Sequence, residues 1–387
     1  MPHSRDERTR RLAGEHTVRA MRPARVALVV CLACLAVPGC GRDRGPAYIG
    51  FAFDIANQSV RVIQDELAAW DGARSPAISM LVEPQGQISD PADVEIRRAQ
   101  HLASVPGVAG VVGHGGSRSS LTAAPVYNGA GIVQIVPTGT SRILRASGRW
   151  TFMLAADDSA EGAFIGAFLH QRLAARRVAV FYVRDEYGLG LRDGLVAELR
   201  ARGVSVIDEV PFEVVNNLQT LVSASLRRGM PDAVVVAGRA GEAARIARFL
   251  HQVAPAVRVV VGDGALVAPI LVELAGPALD SIYAVAFWLP DAPDSLSRAF
   301  VARFRRLVGR DPAPHEAMAH DAVMVLAAAI RAVGTKREAI HAYLRQLGGS
   351  RPPFRGVTGA IAFGPGRDAR FTMARLRGGR PVRVADQ

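Results

Sequence analysis

From residue 47 onward, short apolar runs alternate with amphipathic segments, a pattern that predicts βα units and parallel sheets. Runs 47–53, 77–83, 108–112 and 132–136 read as buried strands. Segments 59–70 and 90–104 read as helices, the second opened by Asp90-Pro91, a cap followed by proline at the first helical position. This first set of units closes near Trp150. A second set follows, with helices predicted over 160–172, 191–202, 218–228 and 242–253 and strands over 178–183, 204–207, 233–237 and 257–261. The run 282–289 reads as a crossing segment, and helices 294–309, 316–333 and 336–347 come after it without clear strands between them. The stretch 356–384 is strand-and-turn in character, with Gly364-Pro365-Gly366 as a turn. The expected fold class is α/β, with two Rossmann-like lobes built on parallel sheets. A chain of 387 residues is long enough to bury two cores.

One stretch organises the first lobe. The strand 108–112 ends in Gly113-His114-Gly115-Gly116, followed by Ser117-Arg118-Ser119-Ser120, and the strand 132–136 ends in Pro137-Thr138-Gly139-Thr140. A small-residue loop that opens a helix leaves free N–H groups pointing outward, which is a cradle for a carboxylate or phosphate. Gly115 and Gly116 let the backbone approach a guest, while Ser117 either caps the helix or offers its hydroxyl.

The segment before residue 47 is of another kind. Residues 26–37 form an uncharged apolar run preceded by arginines and followed by Pro38-Gly39-Cys40, too short to span a bilayer and proportioned as an export signal. Met21-Arg22-Pro23-Ala24-Arg25 is a compact basic start, so translation is expected to begin at Met21. The three cysteines are Cys31, Cys34 and Cys40, so none is available beyond Cys40 as a disulfide, redox pair or metal ligand. The sequence before Cys40 is similar to a bacterial lipobox, which implies acylation of Cys40 and a membrane tether.

Charge excludes less than its size implies. The net charge of +12 includes seven arginines and three acids ahead of Cys40, and the remainder carries about +8. The arginines are scattered and not interleaved with aromatics, and only one lysine, Lys336, is present, so nucleic acid is not the expected partner.

Six motifs, in order, resemble the type I periplasmic-binding-protein family, in the branch serving branched-chain amino-acid uptake: VVGHGGSRSS, IVQIVPTGTS, VAVFYVRDEYGLGL, VVVGDG, AMAHDAVMVLAAAI and GVTGAIAFGPGRD. The resemblance covers nearly all of 47–384. It implies two lobes joined by three hinge crossings, closing on a small molecule. The domain expectation is a signal over 1–39, a lipid-anchored linker over 40–46, one lobe from 47–151 with 286–355, and the other from 152–285 with 356–387. The implied partners are an amino acid, ABC permease subunits and, through the anchor, a membrane, with the protein acting as a monomer outside the cytoplasm.

Carried over residue by residue, the resemblance implies that Ser117 holds a ligand carboxylate, that Gly139 and Thr140 contact both carboxylate and ammonium, that Tyr187 is an aromatic from the second lobe, and that Asp263, next to Gly264, pairs with the ammonium. Each has a plain structural reading too: Ser117 as a helix cap, Thr140 as a turn residue, Asp263-Gly264 as a turn dipeptide and Tyr187 as a wall. The first strand ends in Phe53-Asp54 without the family's usual Pro- and Gly-containing loop, and Arg239 stands where relatives carry an aromatic. If Arg239 or Arg118 faces the cleft, a polar or acidic ligand comes into view, and with it a ligand-sensing lipoprotein that does not transport.

Enzyme classes fit poorly. Gly188-Leu189-Gly190 with Gly194 is a broken dinucleotide fingerprint, because four residues separate the strand from the first glycine. The G-x-S-x-G elbow of a serine hydrolase is absent. His114 has no second histidine or cysteine at ligand spacing, so it reads as structural. No catalytic residue, metal or cofactor is expected.

Overall fold

The computed structural model describes residues 47–74, 77–84, 92–213, 217–265, 270–364 and 371–384. The expected signal, the Met21 start, Cys40 and its linker, the helix start at Asp90-Pro91 and the turn at Pro365-Gly366 lie outside the described residues.

The chain first builds β1 (Ala47–Ala52), α1 (Asn57–Asp71), β2 (Ile78–Val82), α2 (Ala92–Ser104), β3 (Val108–Gly113), α3 (Ser117–Ala130), β4 (Val133–Val136) and β5 (Thr151–Met153). These strands form a parallel sheet in the order β2-β1-β3-β4-β5. Helices cover both of its faces, so β3 is buried at every residue and reads as one apolar run.

A second set follows: α4 (Asp158–Gln171), β6 (Arg177–Val183), α5 (Glu186–Ala201), β7 (Ser205–Phe212), α6 (Leu218–Arg228), β8 (Ala233–Ala237), α7 (Ala240–Val253), β9 (Arg258–Val261), α8 (Ile270–Ala275) and β10 (Ile282–Ala286). The chain then returns to the first core with α9 (Ser295–Val308), α10 (Pro314–Val333), α11 (Arg337–Gln346) and the hairpin β11 (Phe354–Gly356) and β12 (Gly359–Ile361). Gly110 of β3 admits α10 closely, since a Cβ there would lie 2.9 Å from Leu326 Cδ1. Strands β13 (Thr372–Arg377) and β14 (Arg380–Arg383) finally complete a second sheet, ordered β14-β13-β10-β9-β8-β6-β7, in which only β13 runs against the other strands, antiparallel to both its neighbours β10 and β14. Two large hydrophobic cores result, one per sheet, and the chain passes between them three times.

Four expectations need correction. Strand 204–207 continues to Phe212: β7 is an edge strand whose Asp208 and Glu209 meet Arg228, Arg192 and Arg200, and these charges break the apolar pattern without breaking the strand. The supposed crossing 282–289 is a strand over Ile282–Ala286, paired with β9 and β13. The boundary placed between 151 and 152 cuts β5, whose three residues are too few to register as a strand. The boundary between 355 and 356 falls inside the β11–β12 hairpin, which belongs to the first core. Asp321 of α10 accepts hydrogen bonds from Val357 N at 2.9 Å and Thr358 N at 2.8 Å, and Phe363 packs on Phe152 with ring centroids 5.2 Å apart.

Candidate ligand cleft

The strand ends of both sheets face one cleft, with a cavity volume of about 220 Å³. The first sheet contributes Phe53 and Asp54 after β1, Gly115 to Ser119 after β3, and Thr138 and Thr140 after β4. The second contributes Asp185 to Tyr187 after β6, Arg239 after β8, Asp263 and Gly264 after β9, and Val285 to Phe287 at the end of β10. Pro314 and His315, at the start of α10, close one side.

The wall of the first lobe is made of donors. Gly116, at φ +98°, turns the chain into α3, a conformation that favours glycine, and a Cβ there would meet nothing within 4 Å. Among the described residues, the N–H groups of Ser117, Arg118 and Ser119 have no hydrogen-bond partner, as expected of a first helical turn. Ser119 and Ser120 instead donate their hydroxyls to the loop carbonyls of Gly115 (2.8 Å) and His114 (3.1 Å), leaving these N–H groups to face outward. Ser117 is not the cap of α3. Its Oγ accepts from Thr140 N at 3.1 Å and Ser141 N at 3.0 Å, tying the two loops together. A hydroxyl with both acceptor positions filled retains only its O–H to offer on the cleft side. Thr140 N–H is thereby already engaged, and Thr140 O accepts from Asp158 N at 2.9 Å. Gly139 does not line the cavity. Glycine is required there by packing, because a Cβ would lie 2.6 Å from Val136 Cγ1 and 2.8 Å from Leu144 Cδ1.

The wall of the second lobe has acids at and behind it, of which Asp263 lines the cavity and Asp158 and Glu161 lie buried behind. Asp263 N donates to Glu161 Oε1 at 2.7 Å, and Gly264 N donates to the Tyr187 hydroxyl at 3.2 Å. Asp263 Oδ1, Glu161 Oε2 and both oxygens of Asp158 are buried without partners. Burial pushes the Asp158 carboxyl up to about 8, with the charges of Asp263, Asp157 and Asp185 adding to the rise and the Thr140 hydroxyl opposing it. Glu161 is raised well above the usual carboxylate range by burial and then by Asp263. Asp263 is also raised by burial, with the neighbouring Glu161 and Tyr187 side chains opposing the rise. Tyr187 is raised by burial and by the neighbouring acids.

The arginines differ. Arg239 lines the cleft but is held by Asp185 at 2.6 Å, and Asp185 also accepts from Gly188 N at 3.0 Å to cap α5. Arg118 lines the cleft, is exposed, and has no ion-pair partner among the described residues. Asp54 meets Arg98 at 3.1 Å. His114 is fully buried between Glu95 and the Tyr127 hydroxyl, away from the cavity. Burial lowers His315 below the ordinary histidine range.

The glycines of the broken fingerprint serve packing. A Cβ on Gly194 would lie 2.3 Å from Ser159 O, one on Gly190 would lie 3.0 Å from Asp158 Cβ, and one on Gly188 would lie 2.1 Å from Val183 O. Gly190 and Gly194 let α5 press against α4 beside Asp158 and Glu161, while Gly188 lets the start of α5 lie close on β6. The sequence signal for those two acids was the cluster Asp157, Asp158 and Glu161, which in isolation is indistinguishable from ordinary helix-dipole acids.

The profile of the family described as periplasmic binding proteins matches residues 89–379. The chain belongs to that family. This binding protein is 27% identical over 263 residues to a Leu/Ile/Val-binding protein homolog of Brucella suis, covering 66% of this chain and 68% of the relative. Its fold matches that of LivK, a leucine binding protein of Thermotoga maritima, with a TM-score of 0.78 at 22% identity, over 88% of this chain and 98% of that one. An ABC transporter substrate-binding protein of Desulfitobacterium hafniense, solved in complex with Leu, matches with a TM-score of 0.73 at 23% identity, over 88% of this chain and 100% of that one. The fold is the type I periplasmic-binding-protein fold, and the family implies an exported protein.

Proposed function

We propose that this binding protein captures an α-amino acid of the branched-chain class for an ABC uptake system. The observation that carries this reading is the opposite polarity of the two walls. Ser117 O–H and the free N–H groups of α3 suit a carboxylate, while the Asp263 carboxyl, which lines the cavity, suits an ammonium. A zwitterion satisfies both at once, and the names of the relatives support the same class. Phe53, Phe287 and Pro314 would receive an aliphatic side chain, with Tyr187 and Gly264 backing the ammonium. Gly139 has no direct contact in this scheme.

Closure would bring 47–153 with 287–364 against 158–286 with 371–384, so that the ligand completes the site and the closed surface is presented to permease subunits. The binding step needs no bond chemistry. Acylation of Cys40 would tether the monomer to a membrane; labelling with a radioactive fatty acid, lost in Cys40→Ser, tests this.

The first test of the ligand class is a thermal-shift screen with aliphatic amino acids, small amides and dicarboxylates, because a ligand that binds only the folded form raises its melting temperature. A shift with leucine, isoleucine or valine is expected. A shift confined to dicarboxylates or amides would overturn the assignment and place Arg118 in ligand recognition, as a polar-ligand sensor would require.

A further inference from the structure

A second feature of the acidic wall rests on that reading of the cleft and extends it. Glu161 lies in the first turn of α4 with no exposed surface. Its Oε1 fixes the backbone of Asp263 by accepting the 2.7 Å hydrogen bond from Asp263 N, while its Oε2 has no partner. The titratable groups that face it are Asp158 from its own helix, Asp263 from the turn after β9, and Tyr187 from α5; Asp157 and Asp185 act on it through Asp158.

Water has little room here. A Cβ on Gly262 would lie 2.4 Å from the Tyr187 hydroxyl and 3.1 Å from Glu161 Oε1, so the turn before Asp263 closes directly over the two side chains. Three carboxyls in a dry space cannot all be charged, because each ionisation raises the cost of the next. Asp263 is the only one of the three that lines the cavity, so it is the one whose charge a ligand can reach, and the neighbouring Glu161 and Tyr187 oppose the rise of its carboxyl.

We propose that Glu161 works in its protonated form, as a neutral positioning residue that orients Asp263 and confines the acidic wall to a single negative charge matched to one ammonium. Glutamine then reproduces its role, since it keeps an acceptor for Asp263 N and carries no charge. Leucine does not, since it leaves that N–H unpaired.

Two measurements on the purified protein test this. Infrared spectra of the ligand-free protein at neutral pH should contain protonated-carboxyl carbonyl absorption from Asp158 and Glu161, of which one component is lost in Glu161→Gln and the other in Asp158→Asn; identical spectra of the parent and Glu161→Gln would overturn the proposal. Calorimetry with L-leucine at neutral pH should place Glu161→Gln within about threefold of the parent, and Glu161→Leu weaker by about tenfold or more. A loss in the glutamine variant as large as in the leucine variant would mean that charge is needed, and parent-like binding by both would mean that Glu161 positions nothing. Either result overturns the proposal. If L-leucine does not bind the parent protein, the amino-acid reading fails, and the infrared band alone then decides whether Glu161 is protonated.

Discussion

The two walls of the cleft are built by different means. The first consists of backbone N–H groups and a hydroxyl, and the bonds that shape it also join two loops, as Ser117 Oγ does between Thr140 and Ser141. The second presents Asp263, backed by side-chain carboxyls held in a space that penalises their charge, with four oxygens among Asp158, Glu161 and Asp263 left without partners. Stability and binding therefore rest on the same atoms in the first wall and are in conflict in the second. Conflict of this kind is expected where a site is prepared for a charge that arrives with the ligand.

Substitutions sharpen that contrast. The largest effect on binding is expected for Asp263→Ala, which removes the counter-charge to the ammonium and should weaken L-leucine by about 3–5 kcal/mol in calorimetry. Near-normal binding would show that the second wall does not hold the amino group. Asp158→Asn should act on the fold. A carboxyl raised from 3.8 to about 8 stabilises the folded chain fully below the unfolded value, and that contribution is lost as pH rises through about 8. The variant should accordingly melt higher than the parent near pH 9, by a few kcal/mol, and about equally near pH 4; a lower melting point at alkaline pH would contradict the stored conflict.

In the first wall, Ser117→Ala should lower stability and affinity together, each by about 1–3 kcal/mol, because it leaves Thr140 N–H and Ser141 N–H without their acceptor and removes the O–H donor. A change in only one of the two quantities would break the comparison. The smallest effect is expected from Arg118→Ala, which should change leucine affinity by less than about 1 kcal/mol, since its guanidinium is exposed and screened.

The fold was legible wherever strands are covered on both faces. Runs such as β3 and β8 are apolar at every position because helices lie above and below them. Legibility failed where pattern and environment part company: β7 carries charges at a sheet edge, β5 has three residues, and β10 resembled a connection because its antiparallel neighbour comes much later in the chain. In the site, Ser117, Thr140, Tyr187, Asp263 and Gly264 do converge on one cleft, as do Phe53, Asp54, Arg118 and Arg239. Gly139 does not, since its small size answers to Val136 and Leu144. Asp158 and Glu161 were not legible because nothing local buries them. Their dryness comes from the approach of α5, which Gly190 and Gly194 permit, and that approach is a tertiary fact.

The position of β13 beside β10 has a consequence for how the molecule comes apart. Between these two neighbouring strands the chain leaves the second sheet and builds α9, α10, α11 and the β11–β12 hairpin of the first core. The second sheet gains its last neighbours only after that excursion has been made, and pairings so distant along the chain add a loop-closure cost that neither core meets alone. Although there are two hydrophobic cores, they are threaded on one another like links, so loss of order in the first core would loosen the neighbour of β10, the strand that ends at Ala286 on the cleft. Cooperative unfolding and the proposed closure on a ligand would therefore both act through the same three passages of the chain.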